Sequence, residues 1–268
     1  MKTNDLSKER QIYIKKKRLN KFTINLTRVL ILVSLIVVWE VLGRLNIIDP
    51  FLMSMPSKIF ITIKDLFLSG ELITHISTTL YETLLGFLIA TVLGTIFALL
   101  LWWSEFVRGV IEPYIVILNS LPKIALGPII IVWFGAGTKS IVFMAIIITI
   151  IVTIITMENG FLATDKNKIL LLKSLGATKL QTFTKLVLPA SIPTFISCLK
   201  INVGMSWIGS IMGEYLVSKQ GIGYLIVYGG QVFKLDLVMA STIILCILAA
   251  LMYFIVAFIE KKVNNRLN

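Results

Sequence analysis

The sequence predicts an all-α, polytopic membrane protein built as a bundle of six transmembrane helices. Three observations carry that prediction. Six apolar runs, at about 29–48, 80–103, 110–134, 139–158, 191–213 and 236–259, each approach or exceed the roughly 20 residues that cross a ~30 Å hydrocarbon layer. Of the 268 residues, 57% are hydrophobic, with a mean hydropathy of +0.91; soluble domains sit at about 45–50%. Only 15% of residues are charged, and these gather in a few stretches. Backbone groups cannot go unpaired in lipid, so the runs must be helices or a closed barrel. They are too long and too continuous for barrel strands.

The charge pattern gives an orientation. The net charge is +12. Lys2, Lys8, Arg10, Lys15, Lys16, Lys17, Arg18, Lys21 and Arg28 all precede the first span, and Lys261, Lys262 and Arg266 follow the last. Between spans 4 and 5, the stretch from Thr164 to Pro189 adds Lys166, Lys168, Lys173, Lys179 and Lys185. Six spans put both termini and this loop on one side, and the positive-inside rule makes that side the cytoplasm. The chain then reads as a basic cytoplasmic segment (1–28), a membrane domain (29–262) containing a cytoplasmic loop at 163–190, and a tail (263–268). Basicity here encodes topology, and no motif supports nucleic-acid binding.

The first run exceeds the 7–15-residue core of a signal peptide and lacks a small-x-small cleavage site, so it reads as an uncleaved span. Cys198 and Cys246 lie inside spans as small apolar fillers, with neither disulfide nor metal spacing. One histidine and two buried cysteines cannot build a catalytic cluster, so no catalytic residue and no metal site are expected.

Span 1 ends with Glu40 and Arg44 on one helical face. They are either a self-paired ion couple or a lining of a solute path. Pro56-Ser57 then opens a short amphipathic helix with Ile59, Phe60, Ile63, Leu66 and Phe67 at helical spacing, ended by Ser69-Gly70. His75, just beyond, is expected at a surface or interface, without a role. In span 2, Gly86, Ala90, Gly94 and Ala98 form a small-xxx-small ridge for close helix packing. Span 3 is broken at Leu121-Pro122-Lys123 and again at Gly127-Pro128, because proline removes a helical hydrogen bond. Interrupted helices often line transport sites. Pro122 and Lys123 are therefore candidates for a translocation path, with Lys123 alternatively paired or snorkelling. Gly135-Ala136-Gly137-Thr138-Lys139-Ser140 lacks the glycine directly before the lysine that a phosphate loop needs. Span 4, rich in Ile, Val and Thr, is expected to face lipid.

The basic loop carries two short helical patterns. Thr164-Asp165 offers a cap, Leu170, Leu171 and Leu172 give an apolar stripe followed by Lys173 and Ser174, and Gly176-Ala177 suits a left-handed termination. A second pattern runs to Leu186-Val187-Leu188-Pro189. Apolar stripes in an aqueous loop need cover, which either a groove on a partner or this chain's own helix ends would supply. In span 5, Asn202, Ser206 and Ser210 recur every four residues and lead to Glu214. That face either hydrogen-bonds another helix or lines an aqueous path. Gly221-Ile222-Gly223 and Gly229-Gly230 read as a glycine-rich outer connection.

These residues carry a resemblance. Gly176, about nine residues, then Leu186-Val187-Leu188-Pro189 resembles the cytoplasmic coupling loop of ATP-binding-cassette (ABC) importer permeases. Thr79-Leu80 with Gly86-Phe87, Leu121-Pro122 with Gly127-Pro128 and Trp133-Phe134-Gly135, and Gly213-Glu214 with Gly221-Ile222-Gly223-Tyr224 are similar to the nitrate/sulfonate/taurine branch. The likeness spans about residues 30–262. Two positions depart from it: the family's Glu-Ala-Ala falls on Leu170, Leu171 and Leu172, and Glu82 stands where an arginine is frequent.

The resemblance implies a type I (MetI-like) importer bundle in the bacterial cell membrane. It implies a homodimer that docks each loop in a cytoplasmic ABC ATPase subunit and receives solute from an extracytoplasmic binding protein. ATP and Mg would sit on the ATPase, so this chain is expected to bind no cofactor and to have no ATPase site of its own. The implied solute is a sulfonate, taurine or nitrate type of anion. Alternatives are a pyrimidine or flavin type of vitamin precursor carried by the same machinery and, from another class, an ion-coupled secondary transporter.

Overall fold

The computed structural model describes residues 8–267, all of whose regular elements are helical. Lys2 lies outside the described residues, as does Asn268. Two compact units emerge, Met1–Thr62 and Ile63–Asn268.

The first unit is dominated by α1, Lys8–Arg44, one helix running through the change from basic to apolar composition. Its apolar part is a span. At its end Arg44 Nε donates to Glu40 Oε1 at 2.7 Å. The second carboxylate oxygen accepts from the backbone N–H of Ser57 at 3.0 Å. Glu40 therefore caps the start of α2, Pro56–Leu68, satisfying a donor that the helix itself cannot. Of the two readings of Glu40 and Arg44, the ion couple is what the geometry gives.

The second unit is organised around three helices: α3 (Glu71–Trp103), α6 (Thr138–Leu162) and α9 (Leu188–Val217). Small residues let them approach closely. A Cβ on Gly86 would lie 2.5 Å from Ala145 Cβ, and one on Gly94 would lie 2.6 Å from Thr153 Cβ. On the other flank of α6, a Cβ on Gly209 would lie 2.4 Å from Ala145 Cα, and one on Gly213 would lie 2.8 Å from Ile141 Cα. The ridge expected in span 2 is thus a packing face, with Ala90 and Ala98 also buried.

Span 4 does not face lipid as expected: Ile141, Val142, Met144, Ala145, Ile148, Ile154 and Met157 are buried. Its aliphatic residues pack on protein, because in a bilayer lipid and protein interior are equally apolar and composition cannot separate them.

Span 3 divides into α4 (Glu105–Ser120), a 3₁₀ turn (Lys123–Leu126) and α5 (Gly127–Phe134). The direction changes by 88° at the break. Five helices are long and apolar enough to cross a membrane, and six spans result if this bent pair counts as one. The break falls at Leu121-Pro122, as expected. Gly127-Pro128 does not make a second one: it opens α5, where a proline's missing N–H removes nothing.

The expected glycine-rich connection is a helix, α10 (Ile222–Gln231). Ile222 and Leu225 anchor it in a cluster with Leu72, Leu237 and Ile244. The last helix, α11 (Leu235–Leu267), packs on α9 through Trp207, Ile211, Met252 and Val256. Lys200 of α9 pairs with Glu260 of α11.

Candidate coupling elbow and the buried polar seam

The basic loop is an elbow of two short capped helices. Asp165 caps α7 (Lys166–Ser174) by accepting from Asn167 N at 2.8 Å. At the far end, Gly176 N donates to Lys173 O and Ala177 N to Leu172 O, both at 3.0 Å. These paired bonds form a Schellman closure. It needs a left-handed residue, and Gly176 has φ +79°. Thr178 and Gln181 then form a reciprocal capping box that starts α8 (Lys179–Thr182). A π-helical turn, Phe183–Val187, joins α8 directly to α9. The second helix of the loop and the membrane span are therefore one run of helix, Lys179–Val217.

Two buried side chains root this elbow. Phe183 and Val187 sit in a cluster with Ala98, Met157, Phe161 and Cys198. The Phe183 ring lies 5.2 Å from Trp102 and 5.7 Å from Phe161. Lys179 reaches back to the carbonyl of Trp103, with its Nζ 5.7 Å from the ring centroids of Trp102 and Trp103. The leucines point the other way: Leu170 is 63% exposed, Leu171 60%, Leu175 74% and Leu180 59%. Lys173, Ser174, Leu188 and Pro189 are exposed as well, while Leu172, Ala177 and Leu186 are half-buried.

The polar face of span 5 is a seam within the subunit. Asn202 Nδ2 donates to Thr91 Oγ1 of α3 at 2.9 Å, and Asn202 Oδ1 accepts from Thr153 Oγ1 of α6 at 3.1 Å. Ser210 and Thr83 share a hydrogen bond of 2.6 Å. Ser206 is buried and bonds its own helix at Val203 O. Glu214 is buried too, accepting from Gly223 N at 2.6 Å.

Asn202, Ser210 and Glu214 thus bond across to neighbouring elements, while Ser206 bonds within α9. The physical reason is that a buried amide or hydroxyl needs a partner, and the facing helices supply one. Pro122 and Lys123 are not brought to this seam. They lie at the α4–α5 break, where Lys123 Nζ donates to Asn119 O at 3.0 Å.

Several residues had no assigned role in the sequence. His75 is buried, and its Nδ1 accepts from Gly221 N at 2.9 Å. Thr79 Oγ1 accepts from Ile222 N at 2.7 Å. His75, Thr79 and Thr83 recur every four residues, so they share one face of α3. That repeat inside an apolar run was the available signal.

Comparison with known proteins places this geometry. The family described as "Binding-protein-dependent transport system inner membrane component" matches residues 90–268. A formylaminopyrimidine transport permease, ThiX of Halalkalibacterium halodurans, is 34% identical over 73% of this chain and 77% of its own. A relative in Bacillus subtilis named for aliphatic sulfonates transport, SsuC, is 28% identical over 85% of this chain and 83% of its own. The taurine transport permease TauC of Escherichia coli is 24% identical, covering 82% of each chain.

Among solved structures, a bacterial ABC transporter for import of the acidic polysaccharide alginate superposes with a TM-score of 0.66 at 15% identity. That match covers 94% of this chain and 99% of the other. The inward-facing MetNI methionine transporter gives 0.65 at 20% identity, over 73% and 97%. The shared architecture is the type I importer permease. This chain belongs to the family of binding-protein-dependent inner membrane components: it is a multi-pass permease subunit of an ABC importer.

Proposed function

We propose that this permease works as a homodimer whose elbow, Lys166–Pro189, seats in a cytoplasmic ABC ATPase that holds the ATP and Mg. An extracytoplasmic binding protein delivers the solute, and both termini face the cytoplasm with the basic segment 1–28 and the tail 263–268. The solute is a small sulfonate, taurine or nitrate type of anion. This chain contributes no catalytic residue and no cofactor site; the work comes from the ATPase.

One observation carries the reading. In the elbow, four leucines are turned outward beside Lys166, Lys168 and Lys173, while Phe183 and Val187 are locked into the core. Exposed leucines on an aqueous loop stay soluble only when a partner covers them. A rooted helix transmits a push, whereas a flexible loop absorbs it. Pro122 and Lys123, at the 88° break, remain the residues proposed for the solute path.

The test uses the complex of permease, ATPase and binding protein in proteoliposomes. Gly176→Val forces a branched residue into the left-handed region, costing about 1–2 kcal/mol at the elbow. Solute-stimulated ATP hydrolysis and uptake should be lost, while the amount of permease in the membrane stays unchanged. Full uptake by this variant would remove the elbow from the mechanism.

For the solute, taurine, an alkanesulfonate and nitrate are compared with an aminopyrimidine as stimulators of hydrolysis. The identity to ThiX supports the pyrimidine as a second reading. Stimulation by the pyrimidine alone would replace the anion reading.

A further inference from the structure

The basic end of α1 carries two separate patterns. Ile12, Leu19, Phe22 and Leu26 follow one another at spacings of seven, three and four residues, which puts them on one helical face. Arg10, Lys17, Lys21 and Arg28, at spacings of seven, four and seven, lie on the opposite face. Lys15, Lys16 and Arg18 add charge beside them, on stems long enough to reach sideways. From Arg10 to Arg28 no residue is acidic. Among the described residues none of these cations is ion-paired. The apolar stripe is uncovered: Ile12 is 66% exposed, Leu19 65%, Phe22 64% and Leu26 47%.

Orientation across a membrane requires the charges alone; it does not require a stripe. Nor does the stripe stop where the span begins. Neither proline nor glycine occurs between Lys8 and Leu42, and α1 is one helix of 37 residues, about 55 Å long. A bilayer is about 40–45 Å thick with its headgroups. Held upright, such a helix would push Leu19 and Ile12 out into water. Leaning, it lays the stripe on the membrane surface, where the lipid that surrounds Leu26 and Leu30 also reaches Phe22 and Leu19. Apolar continuity with the span and a run of unpaired cations together select lipid, rather than a protein groove, as the cover.

We propose that residues 10–28 of α1 form a binding surface for anionic phospholipid headgroups. Leu19, Phe22 and Leu26 lie at the acyl boundary, and the lysines and arginines meet the lipid phosphates. The pairing does not depend on which compartment this end of the chain faces, or on which solute the permease carries.

Spin labelling of the full-length permease in lipid nanodiscs tests this. A nitroxide is placed at Leu19→Cys, or at Asn20→Cys, which is turned off the stripe. The exposed Cys246 is replaced by serine, and the buried Cys198 is kept. Collision with a water-soluble nickel chelate is measured in phosphatidylcholine alone and with phosphatidylglycerol added. With phosphatidylglycerol, nickel access at Leu19 should fall several-fold while access at Asn20 stays high. Molar salt should restore access at Leu19, because it screens the charges. Equal nickel access at Leu19 in the two lipids overturns the proposal, whether that access is high or low. Loss of access at Leu19 and Asn20 alike overturns it as well, since no particular face would then be recognised. Protection of Leu19 only after the ATPase subunit is added overturns it in favour of a protein partner.

Discussion

The elbow and the polar seam use the same side-chain types in opposite ways. In the elbow, Leu170, Leu171, Leu175 and Leu180 are exposed and polar groups mostly close local caps and turns. In the seam, polar groups are buried and bond from helix to helix across α3, α6 and α9. The contrast follows from the surrounding medium. Water solvates a lysine and penalises a leucine, so outward leucines need a protein partner. Lipid accepts a leucine and penalises an unpaired hydroxyl, so inward serines and threonines hold helices together. Outward apolar surface is therefore informative on the elbow and uninformative on a span.

That difference can be broken most severely at Gly209. A side chain there meets the backbone of Ala145, which cannot swing aside. Gly209→Val should cost about 3 kcal/mol, seen as a lower melting midpoint and less permease in the membrane; an unchanged midpoint would mean that α6 and α9 are not keyed by small residues.

Next in size is Leu171→Asp on the elbow. It should leave the subunit's own melting midpoint unchanged but weaken ATPase binding by about 2 kcal/mol, roughly thirtyfold. Titration of the detergent-solubilised permease with the ATPase subunit measures it. Equal affinity would show that this leucine is not covered by the partner.

The smallest effect belongs to Asn202→Ala in the seam. It removes two interhelical bonds. Membrane polar contacts contribute about 0.6 kcal/mol each, so the loss should be about 1 kcal/mol by thermal unfolding, with solute uptake per molecule retained. Loss of uptake at full stability would return Asn202 to the solute path.

What the sequence made legible follows the same line. Hydropathy located the spans, because length and apolarity are what a bilayer demands. Two closures of the elbow were legible at residue level, since Asp165 and Gly176 act through local backbone chemistry that spacing reveals, whereas the Thr178–Gln181 capping box went unread. Burial within the membrane was not legible. Ile141 and Met144 of α6 are core residues, yet they look the same in sequence as residues that touch lipid. Polar periodicity was ambiguous for a related reason: Asn202, Ser206 and Ser210 would repeat every four residues whether they faced water or another helix. The helix α10 was hidden by Gly223, Gly229 and Gly230, whose weak helix propensity is overridden by packing of Ile222 and Leu225.

Ala145 stands where α6 is pressed from two directions, by Gly86 on one flank and Gly209 on the other. Both neighbours are already the smallest residue available. Enlarging position 145 would displace two helices at once, and no further trimming at 86 or 209 could make room. Genetic suppressors of an Ala145→Val lesion should therefore arise far from that level of the bundle, by retilting whole helices, or not at all.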